Sequence, residues 1–130
     1  MTDNYFTIAA CVKAEIKIER SRFIGTALPV SSKTAAEDEY HFLQKKYHDA
    51  THNCFAYVTG KDLDTVFRFS DDGEPSGTAG KQIYETIQPR KLTDILVVVT
   101  RYYGGVKLGT SGLGRAYREA ANAALDQATV

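Results

Sequence analysis

The sequence predicts an α+β fold: a two-layer sandwich with helices on one face of a mixed or antiparallel sheet. Three observations carry that prediction. Glu15-Ile16-Lys17-Ile18-Glu19 alternates strictly between charged and apolar residues, the period of a strand that is wet on one face. Ile95, Leu96, Val97, Val98 and Val99 form an unbroken aliphatic run, as in a strand buried on both faces at the centre of a sheet. Helical spacing appears between and after such strands, and the resulting order is β-β-α-β-β-α-β-α.

Residues 1–11 carry no periodic pattern. After the alternating strand, Arg20-Ser21-Arg22 is the expected turn and residues 23–29 return as a second strand. Ser31 or Ser32 is placed to cap a helix from near Lys33, with Glu37, Asp38 and Glu39 toward its positive end. Ala36, Tyr40, Leu43 and Tyr47 fall at i, i+4, i+7 and i+11, so both tyrosines read as core. Residues 53–59 and 65–69 predict a hairpin around Gly60-Lys61-Asp62-Leu63-Asp64, with Phe55 and Tyr57 on one side and Phe67 and Phe69 alternating opposite. Ser76 or Thr78 is the expected cap of a helix holding Ile83, Tyr84 and Ile87, and Pro89 ends it. The central strand starts near Asp94. The last helix runs from about Ser111 to Ala128 and presents Leu113, Tyr117, Ala120, Ala121, Ala124 and Ala128, a narrow face suited to close packing on a sheet.

A chain of 130 residues is read as one domain, 1–130. Equal numbers of basic and acidic residues give zero net charge, so any electrostatic partner must be recognised by a local patch. Cys11 and Cys54 have neither CxxC nor metal spacing, and no apolar run approaches the roughly 18 residues of a membrane span. These features predict a cytoplasmic protein without membrane partners.

Chemistry concentrates in two glycine-rich segments, each feeding a helix amino terminus: SDDGEPSGTAGK (70–81) and GGVKLGTSGLG (104–114). Backbone amides at such ends carry partial positive charge, and missing side chains admit a phosphate. The candidate phosphate or nucleic-acid set is Arg101, Tyr102, Gly104, Gly105, Lys107, Gly109, Gly112, Arg115, Arg118 and Lys81. From Arg101 to Arg118 there is no acidic residue. Neither a Walker loop nor GxGxxG is present. The same glycines also suit plain turns at positive φ, and Arg115 stands four residues before Glu119, where a helix-surface pair can form. Asp71, Asp72 and Glu74 are hard oxygen donors of the kind Mg²⁺ takes, but a solvated acidic turn or a carboxylate pairing with Arg101 is the commoner arrangement. Ser76, Gly77, Thr78 and Gly80 complete that motif. His52 precedes the strand bearing Cys54 and has no assignable nucleophile, so a backbone-bonded histidine is the plainer reading. Cys54 itself reads as packed. Tyr102 and Tyr103 are aromatic enough to stack on bases, and alternation puts at least one of them in the core. No catalytic residue, metal or cofactor is assigned.

The segments SRFIG (21–25), THNCFAY (51–57), SDDGEPSGTAG (70–80) and VVVTRYYGGVKLGTSGLGRAY (97–117) resemble the Impact family, whose bacterial members are called YigZ. The resemblance runs from about Arg20 to the carboxyl end and implies a fold similar to the second domain of ribosomal protein S-five, also found in small-molecule kinases of the galactokinase type. The family's eukaryotic members regulate translation by binding a ribosome-associated protein, so the resemblance implies a translational setting with the ribosome or a translation-regulatory protein as partner. It further implies that the ferredoxin-like second domain usual in bacterial members is absent from 1–130, and it supplies no catalytic residues. The leading expectation is a non-enzymatic, ribosome-associated module binding RNA phosphate or a ribosome-associated protein. The alternative is a Mg-dependent nucleotide-binding enzyme using the same glycine-rich face, with Mg²⁺ on Asp71 or Asp72.

Overall fold

The aliphatic strand is the middle of the molecule. In a computed structural model, which describes residues 5–130, β1 (Val12–Ile18), β2 (Ser21–Pro29), α1 (Lys33–Lys46), β3 (His52–Thr59), β4 (Val66–Ser70), α2 (Gly80–Ile87), β5 (Ile95–Tyr102) and α3 (Gly109–Leu125) follow one another. The five strands form one sheet in the order β1-β2-β5-β3-β4, and every strand pair is antiparallel. The α+β class is therefore observed, with the sheet antiparallel rather than mixed.

Side-chain alternation along β5 divides the core in two. Ile95, Val97 and Val99 join Phe23, Ala27, Cys54, Ala56 and Val58 beneath α2 and α3. Leu96 and Val98 join Leu28, Phe55 and Tyr57 beneath α1. Helices α2 and α3 share a face as expected, and α1 adds a layer on the other. An unbroken aliphatic run requires that second cover, since a wet face would have selected polar residues at alternate positions.

The β1–β2 turn is tighter than the sequence suggested. Ile18 pairs with Ser21, and the two turn residues Glu19 and Arg20 both have positive φ, +48° and +71°. A two-residue turn of this hand matches the twist of the strands it joins. Ser32 caps α1 by accepting the Ala35 amide, but the first turn holds no acidic residue. Glu37 instead accepts the Tyr57 hydroxyl and the Arg68 guanidinium, which together hold its carboxyl below the ordinary range despite burial working the other way. The stripe Ala36, Tyr40 and Leu43 is buried as expected, and Tyr40 donates to the Asn53 carbonyl at 2.8 Å.

The narrow alanine face of α3 lets it approach β2 closely. A Cβ on Gly25 would lie 2.5 Å from the Ala120 carbonyl oxygen, so only glycine fits there. Gly25→Val should lower stability by about 1–3 kcal/mol through overpacking, measured as a reduced urea midpoint with an unchanged m-value.

Candidate functional site

The acidic segment after β4 folds back onto the end of the sheet, and each carboxylate meets a different backbone or side-chain need. Asp71 accepts amides from Gly77 (3.0 Å), Ala79 (3.1 Å) and Gly80 (2.9 Å). It thereby supplies the cap of α2 from nine residues away, in place of the expected Ser76 or Thr78. Thr78 donates to the Pro75 carbonyl instead, and Ser76 is exposed. Gly80 is forced by proximity, because a Cβ there would lie 2.6 Å from the Ser70 amide nitrogen. Asp72 accepts the Asn53 amide at 2.7 Å, while its carbonyl bonds His52 Nδ1 at 2.7 Å. His52 is thus backbone-bonded, as the plainer reading had it.

Glu74 points inward and is only 7% exposed. Arg101 Nη1 donates to both its oxygens, at 2.8 and 3.2 Å, the Tyr117 hydroxyl donates to Oε2, and His52 Nε2 stands 3.5 Å from Oε1. The Arg101 guanidinium lies over the rings of Phe23 and Tyr103. Burial pushes the Tyr117 hydroxyl well above its ordinary range, and that phenol is held as a donor. Burial likewise pushes up the Cys54 thiol, which donates to the Asp71 carbonyl. This cysteine is packed, as expected. Arg101 is consequently the internal counter-ion of Glu74 and belongs to the framework.

The second glycine segment leaves β5 across the β1–β2 turn. A Cβ on Gly104 would sit 2.1 Å from the Arg20 carbonyl oxygen, and the Gly104 amide donates to Ser21 Oγ. Beyond it the chain opens a hollow of about 400 Å³ lined by Glu74, Pro75, Arg101, Tyr103, Lys107, Leu108, Gly109, Thr110 and Leu113. The amino terminus of α3 borders it, and no side chain caps that first turn. Here the two helices differ: α2 has its positive end filled by Asp71, and α3 has not.

The structure brings Arg101, Lys107 and Gly109 to this hollow but separates the other candidates. Arg115, exposed, lines a different depression with Glu19, Glu119 and Gly112. Arg118 bonds Gln82 and stands 3.6 Å from Glu85, joining α3 to α2. Lys81 is exposed on α2. Gly77 and Gly105 adopt positive φ, as tight turns require. Tyr102 lies on the α1 side, half-buried, donating to Asp49 with Arg22 over its ring, whereas exposed Tyr103 lines the hollow. Neither tyrosine is core, because both sit where β5 runs out from under its helices. Sequence reasoning missed Tyr117 and Ser21 as polar partners. A buried tyrosine on an alanine face was a usable signal, since its hydroxyl needs an acceptor.

The model of the Impact N-terminal domain matches residues 19–125. The chain belongs to the Impact family. It is 44% identical to the IMPACT family member YvyE of Bacillus subtilis, over 97% of this chain and 58% of that protein. A crystal structure of a hypothetical protein superposes with a TM-score of 0.90 at 40% identity, covering 95% of this chain and 60% of that one. The two-domain translational regulator Yih1 shares the fold, with a TM-score of 0.52 at 23% identity over 98% of this chain and 50% of that one. This Impact-family chain spans 58% to 63% of the length of the curated bacterial relatives it matches.

Removing Glu74 strands a buried guanidinium, so Glu74→Ala should cost about 3–5 kcal/mol. The double variant Glu74→Leu, Arg101→Met should recover most of that loss in chemical denaturation, a coupling that distant residues would not show.

Proposed function

We propose that this Impact-family chain is a non-enzymatic module of translation regulation that binds RNA by its phosphate backbone. The contact is the hollow at the amino terminus of α3, with Lys107 as the mobile cation and Tyr103 as a stacking platform. The observation that carries the reading is the uncapped first turn of α3 beside exposed Lys107, in a protein that fills the matching end of α2 with its own carboxylate. Free amides and a lysine at one helix end recognise an oxyanion without any base contact. The description of Yih1 as a translational regulator supports the cellular setting, the cytoplasm where ribosomes work. No helix among the described residues is long and apolar enough to cross a membrane. Against the kinase-like alternative, Asp71 and Asp72 are already engaged by backbone amides and are poorly placed to take up Mg²⁺.

Filter binding to single-stranded and structured RNA across a salt series tests this. Affinity should fall with rising salt by a log–log slope of about 0.7 for each phosphate contact on a single strand, and Lys107→Ala should lower the slope by about that amount. Lys45→Ala, on α1 across the sheet, should leave the slope unchanged. A response flat in salt, or capture of a ribosome-associated protein without RNA, would remove the phosphate-contact reading.

A further inference from the structure

A phosphate held at the rim uses only part of the hollow beside α3. Lys107 and the unsealed amides of α3 serve it, while Pro75, Tyr103, Leu108 and Leu113 present apolar surface to the same space. Such surface is a poor neighbour for an oxyanion, whose hydration it displaces. It suits a flat organic group instead, and the volume of about 400 Å³ falls within the range of sites that enclose one.

The floor carries a second feature that a phosphate at the rim does not explain. Glu74, Arg101 and Leu113 are the buried residues among the lining. Arg101 is 5% exposed, and its Nε–H has no acceptor among the described residues. Nη1 is taken by Glu74, and Nη2 reaches Ser21 Oγ only at 3.5 Å. A buried donor left unpaired is costly, and a ligand that brings an acceptor recovers that cost. The Tyr103 ring lies 5.3 Å from this guanidinium and is 45% exposed, so it can turn to let a ligand edge reach the floor.

We propose that the hollow takes one unpaired nucleotide of a single-stranded RNA. Its phosphate sits on the α3 amides beside Lys107, and its base enters the hollow to stack on Tyr103. A base oxygen or ring nitrogen accepts from Arg101 Nε, leaving the bonds from Nη1 to Glu74 intact. The inference rests on the phosphate contact proposed above and adds to it a requirement for a free base. Every nucleobase has a flat π-face and an in-plane acceptor, so the hollow reads whether a base is unpaired rather than which base it is. In a duplex the faces are stacked and the edge is paired, and entry would cost both.

Fluorescence anisotropy across a salt series compares three probes of one length: oligouridylate, a ribose-phosphate strand without bases, and a blunt RNA duplex. Oligouridylate should bind roughly tenfold more tightly than the abasic strand, with the same salt slope. Tyr103→Ala, at an exposed position, should remove that advantage and leave the abasic strand and the duplex unchanged. In nuclear magnetic resonance spectra, the Arg101 Nε–H signal should move with oligouridylate and stay in place with the abasic strand. Equal binding of the base-bearing and abasic strands, both weakened by salt, overturns the base site and leaves the phosphate contact standing. Binding of neither strand overturns both. The base site is also overturned by a Tyr103→Ala loss of equal size on the abasic strand, or by an Arg101 Nε–H signal that oligouridylate does not move.

Discussion

The carboxylate of Glu74 and the guanidinium of Arg101 are both removed from water, and the surrounding groups are arranged to make that removal tolerable. A buried ion pair gives little net stability, because desolvation offsets most of the attraction. Its importance lies in what happens when it is incomplete: either charge alone is costly. Tyr117 from α3, His52 from β3 and Ser21 from β2 all address the pair, so it fixes the acidic loop, three elements of the sheet layer and the last helix relative to one another. The two sequence motifs that look like separate sites are two halves of one joint.

That joint determines which parts of the surface are free to act. With Arg101 held inside and Asp71 sealing α2, the positive charge left lining the hollow is that of Lys107 and the unsealed amides of α3. Gly104, crossing within contact of the Arg20 carbonyl, brings the loop low enough for a hollow to form between it and Pro75. The glycine-rich segment therefore serves geometry at Gly104 and Gly80, and leaves open backbone at Gly105 and Gly109. The turn reading of those glycines holds at Gly105 and Gly109, which both take positive φ.

Much of the fold was legible because it rests on periodicity. The β5 run, the α1 stripe and the alanine face of α3 are one-dimensional patterns with one three-dimensional solution each. The cover of α1 over the second face was implicit in that same run, although the helix order alone did not indicate it. The candidate site was less legible, since its contacts are long-range. Asp71 caps a helix nine residues on, and Glu74 finds a tyrosine 43 residues away. No local rule links them. Composition identified the cations of 101–118 as a group, yet strand alternation and helix position send Arg101 inward, Arg115 toward the β1–β2 turn and Arg118 onto α2. A charge count along a chain does not say which charges face the same water.

A crystal structure of the chain with a short oligoribonucleotide addresses the central claim most directly. The account predicts a phosphate on the amides at the start of α3 with Lys107 beside it, and the Arg101–Glu74 pair intact beneath. A phosphate bonded to Arg101, with Glu74 displaced, would contradict it.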